Sequence, residues 1–257
     1  MNFKIRASML SNYCDCPRRA VASYYRKQVC GFGFNLRDSR NSILSAVGTS
    51  IHASGKFMMD GVIEMGVPGN IKDSIECGMQ ALREQCEDGV FFDPSIPNKN
   101  RAEQCVKSLA LVYRNSVVPI CEPLATEFPL RGVIDNVLIT GTPDLNTKRG
   151  IRDTKSTVKE KSHHAQVGMY ALMQKTDLPP VIDYLDRKKL THKAVEYEIK
   201  LCKRVAYFTA KRIIADLREF FATEIPVILP CNPSSMLCSE KYCTAYGTFF
   251  CELTGGK

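Results

Sequence analysis

Several things are missing from this sequence, and each absence narrows what it can be. The first ten residues hold no secretory signal: Met1 to Leu10 contains Lys4 and Arg6 and no apolar core segment. No stretch approaches 18 consecutive apolar residues, which excludes a membrane-spanning helix. No internal repeat and no low-complexity tract is visible. The expectation is a cytoplasmic protein with no membrane partner.

Length and charge bound what remains. A chain of 257 residues fits one large domain, or a core with a small appendage. A hydrophobic content of 44% supports a real core, and the 24% of charged residues is ordinary. The formal net charge of +8 favours a polyanionic partner without requiring one. Cysteine is abundant, at twelve residues. Without an export signal, such a chain points to a bound metal or cluster rather than a disulfide framework. Cys77, Cys86 and Cys105 fall at apolar helical positions and read as small core residues.

Hydrophobic periodicity predicts helices over 8–27, 47–65, 71–86 and 101–118, separated by Gly-, Asn- and Pro-rich segments that include a loop over 31–46. Ser8 is placed as a cap of the first helix, with Pro17 in a helical turn behind Cys16. The texture changes after Pro123. Residues 124–130 and 132–140 alternate and read as paired strands, and Gly141-Thr142-Pro143 breaks the pattern. Short strands over 144–147 and 151–156 flank the turn Thr147-Lys148-Arg149-Gly150. A helix over 162–175 follows, then a strand pair, Val181–Asp186 and Ala194–Lys200. A long helix over 203–224 precedes a cysteine-rich, loop-like tail from Pro226. This order suggests an α/β core with a helical N-terminal layer.

The acidic residues of the short hairpin carry the chemistry. Residues two apart on a strand share a face, so Asp153 and Lys155 project together. If the two short strands pair, Asp144 joins them. Two carboxylates with an ammonium suit phosphodiester cleavage, because hard oxygen donors bind Mg²⁺ or Mn²⁺ and a lysine offsets phosphate charge. The bland alternative is a hairpin whose charges face solvent. His52, on a predicted helix, adds an imidazole that could ligate a metal or simply pack. Gln166 and Tyr170 lie at i and i+4, on one helix face. They could contact a nucleic-acid backbone, brace the lysine, or pack on the sheet. Glu127 alternates with Thr126 and Phe128 and is placed near the site.

The ordered set Gly48-x3-His52, Gly141-x2-Asp144, Asp153-x-Lys155 and Gln166-x3-Tyr170 resembles the RecB-like branch of the PD-(D/E)XK nuclease superfamily, over nearly the whole chain. The resemblance implies a restriction-endonuclease-like fold, a mixed central sheet flanked by helices. It implies a metal held by His52, Asp144, Asp153 and the Thr154 carbonyl, with Lys155 catalytic and Gln166 and Tyr170 in support. Asp153 stands where many relatives carry Glu. DNA is the implied substrate, and exonuclease rather than endonuclease action rests on the resemblance alone. Small size looks like phage-encoded or CRISPR-linked relatives without a fused helicase, so a separate helicase or CRISPR-adaptation partner is the corresponding expectation.

Cysteines at both ends extend the likeness. Cys16 before Pro17, with Cys238, Cys243 and Cys251, resembles the iron–sulfur subset of that family, which includes AddB-type and CRISPR-adaptation nucleases. There a [4Fe–4S] cluster on four thiolates staples the termini together. The C-terminal gaps here are wider than usual, Cys14 and Cys231 are rival ligands, and a structural Zn²⁺ would take the same donors. The implied layout is one domain over 1–257: a helical part at 47–120, a catalytic core at 121–225, and a staple from 14–18 plus 231–251.

Basic clusters stand at Arg18-Arg19, Lys159 and Lys161, Arg187-Lys188-Lys189, Lys200, Lys203 and Arg204, and Lys211-Arg212. Tyr24, Tyr25, Phe32 and Phe34 are placed for stacking on bases. Two rivals to a DNA nuclease remain: a non-catalytic iron–sulfur or zinc nucleic-acid-binding module, and an RNA-directed nuclease.

Overall fold

A computed structural model describes residues 3–38 and 40–252. The outer ends of the expected 1–257 domain and Ser39 lie outside the described residues. Strand β1 (Lys4–Arg6) leads into three short helices, α1 (Ala7–Asp15), α2 (Pro17–Tyr24) and α3 (Arg26–Gly31). The single helix expected over 8–27 is therefore broken, and Cys16 breaks it. Its backbone is extended, and its sulfur accepts the Arg19 amide hydrogen bond at 3.5 Å. Pro17, with its fixed φ and no N–H, opens α2 behind it. Ser8 lies inside α1 rather than capping it.

Strand β2 (Asn41–Ser42) and helix α4 (Ile43–Met65) follow. The expected loop over 31–46 ends early because Ser42 Oγ caps the Ser45 amide at 3.1 Å. Next come α5 (Ile71–Cys86), β3 (Val90–Phe91) and α6 (Lys99–Ser116). Beyond them lie β4 (Pro123–Thr126), β5 (Leu130–Ile134), β6 (Val137–Gly141), β7 (Leu145–Thr147), β8 (Gly150–Ser156), α7 (His164–Gln174), β9 (Val181–Asp186), β10 (Thr191–Glu196), α8 (Ile199–Thr223) and α9 (Phe249–Glu252).

Two of the expected strand readings need correction. Residues 124–130 and 132–140 are not a pair. β5 pairs with β6 across Asp135-Asn136, whose φ angles of 47° and 61° form a tight reversal. β4 instead pairs antiparallel with β7. The strand placed at Ala194–Lys200 is β10, shifted toward the N-terminus, because Glu198 caps the Lys200 and Leu201 amides and starts α8 at Ile199.

The strands form a five-stranded mixed sheet, β10-β9-β8-β7-β4, and a three-stranded sheet, β1-β6-β5, with β2 and β3 paired separately. Leu145 and Leu185 pack into a core with α4, α5 and α6. Ile151 packs on the opposite side with α1, α7 and α8. The larger sheet is thus covered on both faces, the mixed α/β arrangement expected. No helix among the described residues is long and apolar enough to cross a membrane.

Candidate active site

The antiparallel β7–β8 hairpin, with Leu145 opposite Arg152, sets the site. Asp144 sits just before β7. The pleat of β8 sends Asp153 and Lys155 to one side and Arg152 and Thr154 to the other. Arg152 makes two hydrogen bonds to Asp183, which also meets His192 at 2.7 Å. Buried Asp183 thus ties β9 to β8 and β10.

Helix α4 brings His52 onto the hairpin. Gly55 lets α4 pack closely on α6, since a Cβ there would come within 2.9 Å of the Tyr113 ring, whereas one at Gly48 would make only ordinary contact with Ser156 Oγ at 3.4 Å. His52 Nδ1 lies 2.9 Å from Asp144 Oδ1, and the Thr154 amide donates to Asp144 Oδ2 at 2.6 Å. Asp153 is only 2% exposed and forms an ion pair with Lys155. The Lys155 ammonium meets its buried Oδ2. The structure thus brings His52 to Asp144 and Lys155 to Asp153 as two pairs that feel each other's charge.

Their charges are interdependent. Burial pushes the Asp153 carboxyl above its ordinary value, and the neighbouring Asp144 charge pushes it further. Burial also works against ionised Asp144, but His52, Lys155 and the Thr154 amide outweigh it and hold that pKa down. Lys155 and His52 are each opposed by burial, yet the two carboxylates raise both above their ordinary values.

Gln166 Nε2 donates to Tyr170 Oη at 2.9 Å, and both residues are buried. The Tyr170 ring lies under Gly141, where a Cβ would come within 2.6 Å of it, so the Gly141-x2-Asp144 spacing reflects close packing. Glu127 adopts a positive φ of 43°, and its amide donates to the Asp144 carbonyl at 3.0 Å. As arranged, no three His, Cys, Asp or Glu side chains among the described residues form a ready metal cage.

Asp144, Asp153 and Lys155 open onto a cleft of about 610 Å³ whose far walls carry Lys4, Arg6 and Arg131. Sequence reasoning missed these three cations. The charged–apolar–charged alternation of Lys4-Ile5-Arg6 was the available signal, since it fits a strand with two outward charges. On the other side, His52, Thr154 and Lys155 border a cavity of about 340 Å³ with Lys159 and Lys161.

Some of the basic and aromatic expectations do not hold. Arg18 and Arg19 are buried, not surface groups. Tyr25 is in the core, and Phe32 and Phe34 pack against it with Phe220 and Phe250, so none of the three is presented to bases. Tyr24 is half-buried and donates to Ser8 Oγ at 3.0 Å. Lys203 pairs with Asp177, Arg212 with Asp216, and Arg187 donates to backbone carbonyls.

Cys16, Cys231, Cys238, Cys243 and Cys251 line one cavity of about 450 Å³ together with Arg18. Cys14 is not among them, and its sulfur lies 3.9 Å from Thr209 Oγ1. Arg18 is fully buried there, donating to the Leu229 carbonyl at 2.9 Å and the Cys251 carbonyl at 3.1 Å. Burial lowers the Arg18 pKa while the charges of Cys231, Cys251 and Cys16 support it.

Comparison with known proteins adds three findings. The sequence profile of the PD-(D/E)XK nuclease superfamily matches residues 5–244. The crystal structure of a "Putative exonuclease" from Eubacterium rectale superposes with a TM-score of 0.57 and 11% identity, over 86% of this chain and 82% of that one. That likeness concerns the fold alone. The structure of SSO0001 aligns at a TM-score of 0.31 and 11% identity, over 74% of this chain and 83% of that one, which carries no argument. None of the curated proteins matches.

Proposed function

The chain belongs to the PD-(D/E)XK nuclease superfamily, and from that premise we propose a Mg²⁺- or Mn²⁺-dependent deoxyribonuclease that degrades DNA from its ends with little sequence preference. The observation that carries this reading is the pairing of His52 with Asp144 and of Lys155 with Asp153, with Asp144, Asp153 and Lys155 on the wall of a cleft lined with cations. The setting that agrees with it is DNA recombination or repair, or processing of phage or CRISPR-linked DNA, alongside a helicase or adaptation partner. Residues 1–257 then act as one nuclease domain.

The donor set fits a hard divalent ion: two carboxylates, one imidazole and the Thr154 carbonyl. Asp144 and Asp153 repel each other, and burial adds to the cost of charging Asp153, so a cation would relieve both. Such an ion, when bound, supplies Lewis acidity toward phosphate and acidifies a water. Lys155 holds an ammonium where charge develops on the phosphate. Gln166 and Tyr170, bonded to each other, brace the wall that carries it. Lys4, Arg6 and Arg131 neutralise backbone phosphates without reading bases.

For the termini we favour a [4Fe–4S] cluster on Cys16, Cys238, Cys243 and Cys251, with Cys231 as a further candidate and structural Zn²⁺ as the rival. Five cysteines around a buried guanidinium suit an anionic thiolate centre. Absorbance near 400 nm with stoichiometric iron is expected. A colourless protein carrying one zinc would overturn the cluster.

The experiment for the main reading is cleavage of matched DNA and RNA strands with Mg²⁺ or Mn²⁺, beside Lys155→Ala. DNA cleavage should fall by at least roughly 10²-fold in the variant, with DNA binding retained and the chain still folded at the assay temperature. Equal activity in both proteins refutes the site, and faster RNA cleavage refutes the substrate.

A further inference from the structure

We infer that the cavity beside the acidic group, floored by Gly48 and walled by Thr49, Ser156, Thr157, Lys159 and Lys161, is a subsite for the terminal phosphate monoester of a nucleic-acid strand. The inference rests on the nuclease reading above and adds what holds the end of the strand.

The first ground is charge. No carboxylate lines this cavity among the described residues. Lys155, on the wall shared with the acidic group, is committed to Asp153. Lys159 and Lys161 make no ion pair among the described residues, while the acid between them, Glu160, is drawn aside by Lys193 at 2.7 Å. Two uncommitted ammonium groups match a phosphate monoester, which carries about −1.5 to −2 at neutral pH. An internal diester brings only a single negative charge.

Order is the second ground. The segment from Thr157 to His163 is held in place. The Thr157 amide donates to the Leu185 carbonyl at 3.0 Å, and its hydroxyl donates to the Lys159 carbonyl at 3.0 Å. The Lys161 carbonyl accepts from Tyr184 Oη at 2.8 Å and Tyr197 Oη at 3.3 Å. Both lysines therefore leave a fixed backbone, which limits the entropy lost on binding. Hydroxyls of Ser45, Thr49 and Ser156 line the cavity as further donors. Gly48 leaves its floor without a side chain.

Third, one polar group in the cavity wall is unmet. His163 lines it, and its Nδ1 is buried without a hydrogen-bond partner among the described residues. Burial and the nearby lysine charges hold this imidazole neutral near pH 7. A neutral imidazole can donate one hydrogen bond to a phosphate oxygen.

Position completes the case. The cavity shares His52, Thr154 and Lys155 with the acidic group, so an anchored end would lie next to the bond to be cut. The cleft on the other side is the larger, about 610 Å³ against about 340 Å³. The strand body belongs there and its terminus here.

The test measures binding of the full chain to one short single-stranded DNA in EDTA, made with a 5′-phosphate, a 3′-phosphate or neither. One of the two phosphates should tighten binding roughly tenfold, as a charge-assisted contact does, and identifies which end is held. In Lys159→Gln/Lys161→Gln that advantage should fall below about twofold. Affinity for the unphosphorylated strand and the melting temperature should hold. Equal binding of all three DNAs by the unsubstituted protein overturns the inference, as does an advantage that survives in the variant. So does equal weakening of all three, because the lysines would then read internal phosphates. A chain that binds and cuts DNA while ignoring its ends fails this inference alone. One that binds no DNA fails the nuclease reading as well.

Discussion

At the scale of single residues, the site is a set of charges that only make sense together. Each carboxylate would be costly where it lies without its cation, and each cation is kept charged by the carboxylates. His163 stands apart, because burial first, then the charges of Lys155, Lys161 and His164, lower its pKa to about 4. In the unfolded chain the imidazole returns to about 6.5 and takes up its proton first. The unfolded state then binds more protons, so this group's contribution to stability is complete above about pH 6.5. It is lost as pH falls through the folded value near 4, for a total of roughly 3 kcal/mol. His52 shifts the opposite way, so the comparison must be between two proteins. Urea unfolding of His163→Gln should show a flatter pH dependence than the unsubstituted chain across pH 4 to 6.5. Parallel curves would mean that the imidazole is not held neutral in the fold.

At the scale of elements, α7 must lie close to α8 for Gln166 and Tyr170 to reach the cleft wall. Gly168 makes that approach. A Cβ there would sit 2.0 Å from the Cys202 carbonyl oxygen and 2.3 Å from its carbon, both backbone atoms of α8. The helices would have to separate, so Gly168→Ala should cost about 3 kcal/mol and lower activity with it. Gly31, with nothing within 4 Å of a Cβ, is the control, and its Ala variant should melt at or above the parent temperature. If both variants melt with the parent, the helix pair is looser than drawn.

The elements also show what local pattern reveals and what it hides. The β7–β8 hairpin was legible because a two-residue period and a four-residue turn are both local, and the convergence of Asp144, Asp153 and Lys155 followed from them. The β4–β7 pairing was not legible, since it joins segments separated by an intervening hairpin. The Asp135-Asn136 reversal hid inside an alternating run whose period continues on both sides. Arg18 read as a surface cation by its charge, yet backbone carbonyls more than 200 positions away bury and bind it. Lys4, Arg6 and Arg131 lie far apart in the chain and meet because β1 and β5 flank β6 in one sheet.

At the scale of the whole molecule, the N-terminal segment contributes to both ends of the proposed machinery. Residues 16–19 close the cysteine cavity, where Arg19 meets Asp15 at 2.7 Å and Ser235 at 3.1 Å. Lys4 and Arg6, a few residues earlier, face the cleft. A strand lying there would displace counterions chiefly through Lys4, Arg6 and Arg131. Each neutralised phosphate of a single strand contributes a slope of about −0.7 in log affinity against log salt. Arg6→Gln/Arg131→Gln should therefore shallow that slope by about 1.4 and weaken DNA binding to a similar degree whatever the sequence. Titrations of two unrelated oligonucleotides between about 50 and 200 mM salt check it. An unchanged slope would place the strand elsewhere. A loss confined to one oligonucleotide would mean that these arginines read bases rather than phosphates.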